Sequence, residues 1–367
     1  MRVGFDVSKI FGPPDGVARY SVSLLQALAE EAEERGGTPA LHLYSLGAEA
    51  DSAAWKALLD ELPRNVRKGP GRWPRRRDLD LFHIPSFSDP ACFDGPAVFT
   101  IHDLTFLTHP EFHVPDNRNQ CLLGTLRAVS RQATILAVSE ATAKEVRKWF
   151  VLPEDRLRVV YEAASPVFVA FDGAQLTAAR ERLAARFGLE GQFVLSVGSL
   201  EPRKNIARLV EAYAGLDQNL QENTPLVLVG GSSWKEDAAF GGPWPGFVRR
   251  LGAVEEEDLI ALYNVAVVVA YPSLVEGFGL PVVEAMACGT PVLTSNTSSL
   301  AEVGGDAALC VDPTDVAAIR GGLAALLGDA DLRRHYRRAG FVRAAGFSWR
   351  TAAKEVIGIY GGMVDAG

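Results

Sequence analysis

Residues 270–291 read AYPSLVEGFGLPVVEAMACGTP, and the order of residue types in this stretch decides how the rest of the chain is read. An apolar run ends near Ala270, a loop carrying Glu276, Gly277, Phe278 and Gly279 follows, and a helix-like stretch begins at Pro281 and stops at Gly289. Proline suits the first helical position, where its missing N–H would have no partner anyway, and glycine suits the left-handed stop. The loop glycines let backbone approach a ligand closely. The helix start offers unpaired N–H groups and the positive end of the peptide dipoles to an anion. The chemistry that fits is a diphosphate against the helix start, with Glu276 accepting from sugar hydroxyls and Glu284, one turn into the helix, accepting from two ribose hydroxyls. A plain strand–loop–helix, with Glu284 favoured by the dipole alone, is the alternative. The coincidence of loop glycines, helix-start proline and two carboxylates argues against it.

Outward from this stretch, short apolar runs alternate with longer helical patterns, the signature of parallel α/β architecture. Strands are expected at 3–7, 41–45, 81–84, 98–101, 135–138 and 158–161, with helices at 16–35 and 117–132. The pattern then restarts, with strands at 193–197, 226–229, 265–270, 292–294 and 308–311 and helices at 205–215, 256–263, 281–288, 315–327 and 331–345. Each half reads as a doubly wound sheet, and the boundary is expected between Ala163 and Gly191, where SPVFVAFDG breaks the alternation and a helix-like stretch over 178–187 leads into the next strand. Open parallel sheets bind ligands beyond the carboxyl ends of their strands, so two such sheets facing one another place a site in the cleft between them.

The whole-chain properties fit that reading. At 367 residues the chain exceeds one ordinary core, and 48% hydrophobic with 22% charged residues is the composition of a globular enzyme. The net charge of -8, from 45 acidic and 37 basic residues, argues against a nucleic-acid binder held by a general basic surface. An anionic diphosphate therefore needs positive charge gathered locally. Cys92, Cys121, Cys288 and Cys310 show no paired metal-ligand spacing and read as structural thiols of a reducing compartment. The segment MRVGFDVSKIF lacks an apolar signal region, and no apolar run reaches the length of a membrane span. The expected location is cytoplasmic.

Three further segments lie at expected strand ends. In VLSVGSLEPRKNIARLV (194–210), Arg203 and Lys204 precede a helix; a guanidinium fork and a compact ammonium both suit phosphate oxygens. A solvated charge pair is the ordinary explanation of such a dipeptide, and the strand-end placement favours the functional one. GPPDGVARY (12–20) opens a helix without the G-x-G-x-x-G spacing of a dinucleotide site, so Gly16 serves a phosphate, an acceptor or an ordinary turn equally well. In FTIHDL (99–104), His102 and Asp103 end an apolar run, and a sugar contact by His102 stands level with a structural role.

Together, and in this order, these segments resemble the family-4 retaining glycosyltransferases of the GT-B fold, in motif style the bacterial mannosyltransferases. EGFGLPVVE (276–284) resembles that family's paired-glutamate motif, VGSLEPRKN its phosphate-binding motif, LVLVGG its mid-domain strand and AVSEATAKEV its acceptor-domain strand–helix. The resemblance implies two Rossmann-like doubly wound parallel-sheet domains facing across a cleft. An acceptor-binding domain is expected over 1–165, a nucleotide-sugar domain over 166–345, and a final helix over 346–367, including FSWRTAAKEVIGIY, that crosses back to the first. It also implies a catalytic set of Glu276, His102, Arg203 and Lys204. Donor contacts are implied for Glu284, for backbone around Phe278, Gly279 and Leu280, for Gly16, and, toward the base, for Val254 and the loop after Gly230 and Gly231. Many members carry Arg directly after the glycine that ends the phosphate-binding strand; Ser199 stands there in this chain, which puts one phosphate contact in doubt unless Arg203 compensates.

The implied reaction moves a hexose with retention from a nucleotide-diphosphate sugar to a glycan or lipid-linked hydroxyl. GDP-mannose is favoured over a UDP-sugar on subfamily likeness alone. No Asp-x-Asp metal motif occurs at a strand end, so neither metal nor cofactor is expected. A UDP-sugar-dependent transferase, a nucleotide-sugar epimerase, a phosphorylase of similar frame and a subunit that only binds nucleotide are the competing readings. Peripheral contact with the inner membrane surface is an expectation raised by Trp73 among Arg72, Arg75, Arg76 and Arg77. Replacing Glu276 by Ala is expected to abolish transfer with little effect on folding.

Overall fold

The computed structural model describes residues 1–12, 15–46, 51–70, 73–88, 92–231 and 243–365. Two compact units divide the chain. One comprises Met1–Pro110, Pro115–Glu162 and Ser348–Gly367, and the other Glu111–Val114 and Ala163–Phe347.

The strands of the first unit are β1 (Arg2–Asp6), β2 (Ala40–Tyr44), β3 (Val66–Lys68), β4 (Leu81–Ile84), β5 (Ala97–Ile101), β6 (Thr134–Ala137) and β7 (Leu157–Val159). They pair in the order β3-β2-β1-β4-β5-β6-β7, all parallel. Every residue of β4, β5 and β6 is buried, as befits central strands covered on both faces. The helix Gly16–Glu34 starts where the Asp15 carboxylate accepts from the Ala18 N–H at 2.7 Å. The helix Trp349–Asp365 packs against it, with Arg350 donating to Glu34 at 2.6 Å and Trp349 edge-on to Tyr20.

The second unit holds β8 (Val194–Val197), β9 (Leu226–Val229), β10 (Val248–Gly252), β11 (Val268–Tyr271), β12 (Val292–Ser295) and β13 (Leu309–Val311). Their order is β10-β9-β8-β11-β12-β13, again all parallel. The order reverses between β8 and β11, the crevice where open α/β sheets take ligands. The segments after these two strands are 198–205 and 272–279, both singled out from sequence.

Two strands carry no apolar signature. In β3, Arg67 and Lys68 are exposed, and in β10, Arg249 and Arg250 are exposed; each strand lies at a sheet edge, where charged side chains are tolerated and blunt further pairing. The helix expected from Ala178 begins at Gly173. Its true start is a capping box, in which Asp172 accepts from the Gln175 N–H and Gln175 returns the contact, both at 2.9 Å.

One glycine ties the second sheet to its loops. Gly230 has φ +140°, and a Cβ there would lie 2.1 Å from the Gly198 carbonyl oxygen, so a side chain meets backbone that cannot step aside. Gly230→Ala is expected to lower stability by about 1–3 kcal/mol. Gly231→Ala, whose Cβ meets nothing among the described residues, should stay within about 0.5 kcal/mol of the parent. Thermal unfolding of both variants checks this.

Candidate active site

The site of the second unit is built from the turn after β8 and the loop after β11. Past β8 the chain makes a short 3-10 turn at Pro202–Lys204 and enters the helix Ile206–Ala214 through Asn205, whose φ of 60° is left-handed. Asn205 Nδ2 donates to the carbonyls of Pro272 at 2.9 Å and Pro313 at 2.7 Å. The Leu274 N–H donates to the Arg203 carbonyl at 2.8 Å. These bonds hold the two loops together, so Arg203, Lys204 and Glu276, 72 and 73 positions apart in sequence, meet as one group.

One carboxylate bridges both cations. Glu276 Oε2 accepts from Arg203 Nη1 at 2.5 Å, and Oε1 accepts from Lys204 Nζ at 2.7 Å. Tyr271, the last residue of β11, accepts from Lys204 Nζ at 2.6 Å and donates to Glu276 Oε1 at 2.8 Å. Glu201 takes Arg203 Nε at 2.8 Å on one oxygen and the Ser199 hydroxyl on the other. Ser199, the position where the sequence put one phosphate contact in doubt, therefore acts on an acidic neighbour that itself holds Arg203.

The electrostatics follow from burial. Burial pushes the Glu276 carboxyl up, but the charges of Arg203 and Lys204 and the bonds from Lys204 and Tyr271 outweigh it and bring it to about 2, so it remains ionised at neutral pH. Burial and the Arg203 charge pull Lys204 below its ordinary range, against the pull of Glu276. Burial, then Glu276, raises Tyr271 well above the ordinary phenol value, and it stays a neutral donor. Removing Glu276 as alanine strips the buried Lys204 of the carboxylate that holds it and leaves Arg203 to Glu201, at a cost of about 3 kcal/mol or more. The expectation that this change spares folding is thereby corrected, and glutamine is the better replacement.

The loop that carries Glu276 is pinned by the helix Ser298–Gly304 after β12. The Glu276 N–H donates to Ser298 Oγ at 3.2 Å, and Ser299 Oγ donates to the carbonyls of Glu276 and Phe278, each at 2.9 Å. Gly279, at φ +111°, opens the helix Leu280–Ala287, whose first turn has no side-chain cap; its leading N–H groups are those that an anion suits. Phe278 and Leu280 are buried beside it. Glu284 is fully buried and its Oε2 accepts from the Tyr263 hydroxyl at 2.8 Å. Val254 is half-buried between β10 and the helix Glu256–Val265. Gly231 is exposed just past β9, and the loop that follows it lies outside the described residues.

His102 and Gly16 belong to the first unit. His102, just past β5, places Nε2 2.9 Å from the Pro85 carbonyl and Nδ1 3.2 Å from Glu162 Oε1. Both partners are acceptors, so the geometry suits a doubly protonated ring. Burial opposes that charge, but the Glu162 bond and charge and the Pro85 carbonyl outweigh it and raise the His102 pKa. Tyr20, on the helix that Gly16 opens, packs edge-on to the ring at 4.7 Å. Asp103 caps the following turn, taking the Thr105 N–H and hydroxyl. Behind them His83 lies between Tyr360 at 2.6 Å and Thr100 at 3.1 Å, pushed to about 3 by burial and by His102. Elsewhere in this unit, Arg75 and Arg77 pair with Asp78 and Arg76 donates to the Leu79 and Asp80 carbonyls. The basic cluster around the exposed Trp73 is thus engaged locally, and Arg72 lies outside the described residues.

The two histidines give opposite pH dependences. A raised folded pKa contributes stability that is full below the ordinary histidine value of 6.5 and is lost as pH rises through the folded value. The lowered value of His83 costs stability as pH falls below 6.5. The melting-temperature difference between the parent and His102→Gln should therefore be largest at about pH 5–6 and shrink in alkali. A pH series of paired thermal melts checks the sign.

Comparison with known proteins places the chain in a family. Residues 180–343 match the family model of Glycosyl transferases group 1, and residues 14–165 that of Glycosyltransferase Family 4. The O-antigen chain mannosyltransferase B of Escherichia coli is 32% identical, over 98% of this chain and 99% of that protein. The serotype-specific mannosyltransferase WbdA of Escherichia coli is 34% identical over 75% of this chain, which spans 36% of that longer protein. Among solved structures, WaaG, a glycosyltransferase involved in lipopolysaccharide biosynthesis, superposes with a TM-score of 0.73 at 16% identity, covering 97% of this chain and 98% of that one. Anabaena Alr3699/HepE in complex with UDP and glucose gives 0.71 at 18% identity, over 97% of each chain. With both units matched and a full-length relative at this identity, the chain is a family-4 glycosyltransferase of the GT-B fold.

Proposed function

We propose that this transferase moves mannose, with retention, from GDP-mannose to a hydroxyl of a glycan or lipid-linked acceptor. The observation that carries the donor half is the group of Arg203, Lys204 and Glu276 at the strand-order reversal, beside the uncapped start of the helix Leu280–Ala287. Positive charge and backbone N–H groups there suit a departing diphosphate, whose charge grows in the transition state. These groups supply the charge that a divalent metal supplies elsewhere, so in this reading the reaction runs without one. The choice of mannose follows the mannosyltransferases among the relatives.

In this reading Glu276 contacts the transferred sugar, and attack on the same face is assisted by the leaving phosphate. A ribose contact by Glu284 is made beside the Tyr263 hydroxyl, which takes one of the carboxylate's several lone pairs. Backbone at Phe278, Gly279 and Leu280 meets the diphosphate, and Val254 with Gly231 and its loop meets the base. Ser199 works through Glu201. His102, as a cation held by Glu162, suits the sugar or phosphate side of the donor, and Gly16 lies at a helix start suited to phosphate or acceptor. The complex of HepE with UDP and glucose keeps a UDP-sugar as the second reading.

A panel of nucleotide sugars tests the donor directly. GDP-mannose should raise the melting temperature more than UDP-glucose or UDP alone, and stabilisation by UDP-sugars only would replace mannose from GDP with the second reading. Arg203→Gln combined with Lys204→Gln keeps amide partners for Glu201 and Glu276, and should weaken nucleoside-diphosphate binding about a hundredfold. Calorimetry on the folded variant measures it, and unchanged affinity would move the phosphates elsewhere.

A further inference from the structure

Among the described residues, the four charged side chains of the hydrogen-bonded group at the site cancel. Glu201 and Glu276 oppose Arg203 and Lys204, all within one hydrogen-bonded group, in a chain of net charge -8. The group as it stands has no surplus positive charge to attract a diphosphate. The two acids are not equivalent. Glu201 sits two residues from both of its partners, Ser199 and Arg203, within its own turn. Glu276 reaches across from the other loop and occupies the terminal nitrogens, Arg203 Nη1 and Lys204 Nζ, which are the groups that bind phosphate oxygens best.

We propose that Glu276 is an internal competitor of the donor's diphosphate. Without donor it holds both cations; donor binding exchanges its oxygens for phosphate oxygens, and its return helps expel the spent nucleoside diphosphate. This rests on the donor-site reading above and adds to it a basis for preferring donor over product. An intact donor brings sugar hydroxyls that hydrogen-bond the displaced carboxylate. A nucleoside diphosphate brings none, so the carboxylate has no new partner when that molecule takes the cations. The Glu276 backbone is fixed by Ser298 and Ser299, so the exchange is a rotation of the side chain. Arg203 keeps its aim throughout, because Glu201 holds it by Nε. Its side chain is 18% exposed, enough for an anion to reach.

The test is calorimetric titration of GDP, UDP, GDP-mannose and UDP-glucose into the parent, Glu276→Gln and Glu276→Asp, each checked by thermal unfolding. Whichever nucleoside diphosphate binds the parent should bind Glu276→Gln about tenfold tighter or more, a change of about 1.4 kcal/mol. The matching sugar donor should gain less, so that discrimination in its favour shrinks. Glu276→Asp keeps the charge but falls a methylene short of bridging both cations, and should show an intermediate gain; it serves alone if the glutamine variant does not fold. Unchanged or weaker diphosphate binding in the folded variants overturns the competitor role and leaves the donor site standing. A parent that binds none of the four molecules overturns both.

Discussion

Taking a charge out of water is costly unless an opposite charge and the right hydrogen bonds go with it, and the second unit is organised around meeting that condition at one place. Arg203 and Lys204 are largely buried, and each has a carboxylate oxygen of Glu276 within hydrogen-bond distance. Tyr271 completes the group, and burial keeps it a neutral donor. The supporting bonds serve the same end: Asn205 and the Leu274 N–H fasten one loop to the other, and two serines hold the backbone that carries Glu276. The backbones of both loops are thus set before a ligand arrives, and the proposed exchange at Glu276 falls on binding, so Arg203 and Lys204 stay in place as charge develops.

The first unit solves a related problem with a different chemistry. Its buried histidines sit about one strand apart, on β4 and just past β5, and take opposite protonation states. His102 meets two acceptors, a carbonyl and a carboxylate, and is drawn toward the cation. His83 meets the hydroxyls of Thr100 and Tyr360, and burial with the charge of His102 keeps it neutral. Neighbouring rings of the same residue type thus differ through their hydrogen-bond partners and through the charge that one places beside the other. Tyr360 reaches this group from the C-terminal helix, so a segment distant in sequence completes the interior of the first sheet.

Much of the architecture was legible because central strands of parallel sheets must be apolar on both faces. The strands Leu81–Ile84 and Leu226–Val229 read off the sequence with the boundaries the structure has. The edge strands β3 and β10 did not, since an edge carries charges that a pattern search treats as loop. The start of the helix Gly173–Phe187 was missed although Asp172 and Gln175 spell a capping box, a signal that lay in view. At the site, Arg203, Lys204 and Glu276 were visible as charged residues at strand ends. Glu201 and Tyr271 were not, because an acid beside a basic pair and a tyrosine closing an apolar run look ordinary until their partners are known. The place of Glu284 one turn into the helix is legible in the sequence; the Tyr263 hydroxyl on its Oε2 is not, because that partner comes from another helix.

Sequence by itself determined the α/β class, the two-sheet plan, the family and the residue types at the strand ends, because each is written in local periodicity, turn chemistry and motif spacing. Tertiary structure alone decided which charges meet. The reversal of strand order between β8 and β11 sets side by side two loops separated by more than 70 residues, and burial there makes mutual neutralisation of Glu201, Glu276, Arg203 and Lys204 obligatory. A charged residue's partner is a property of three-dimensional proximity and local dielectric, and neither is encoded in the spacing of residues along the chain.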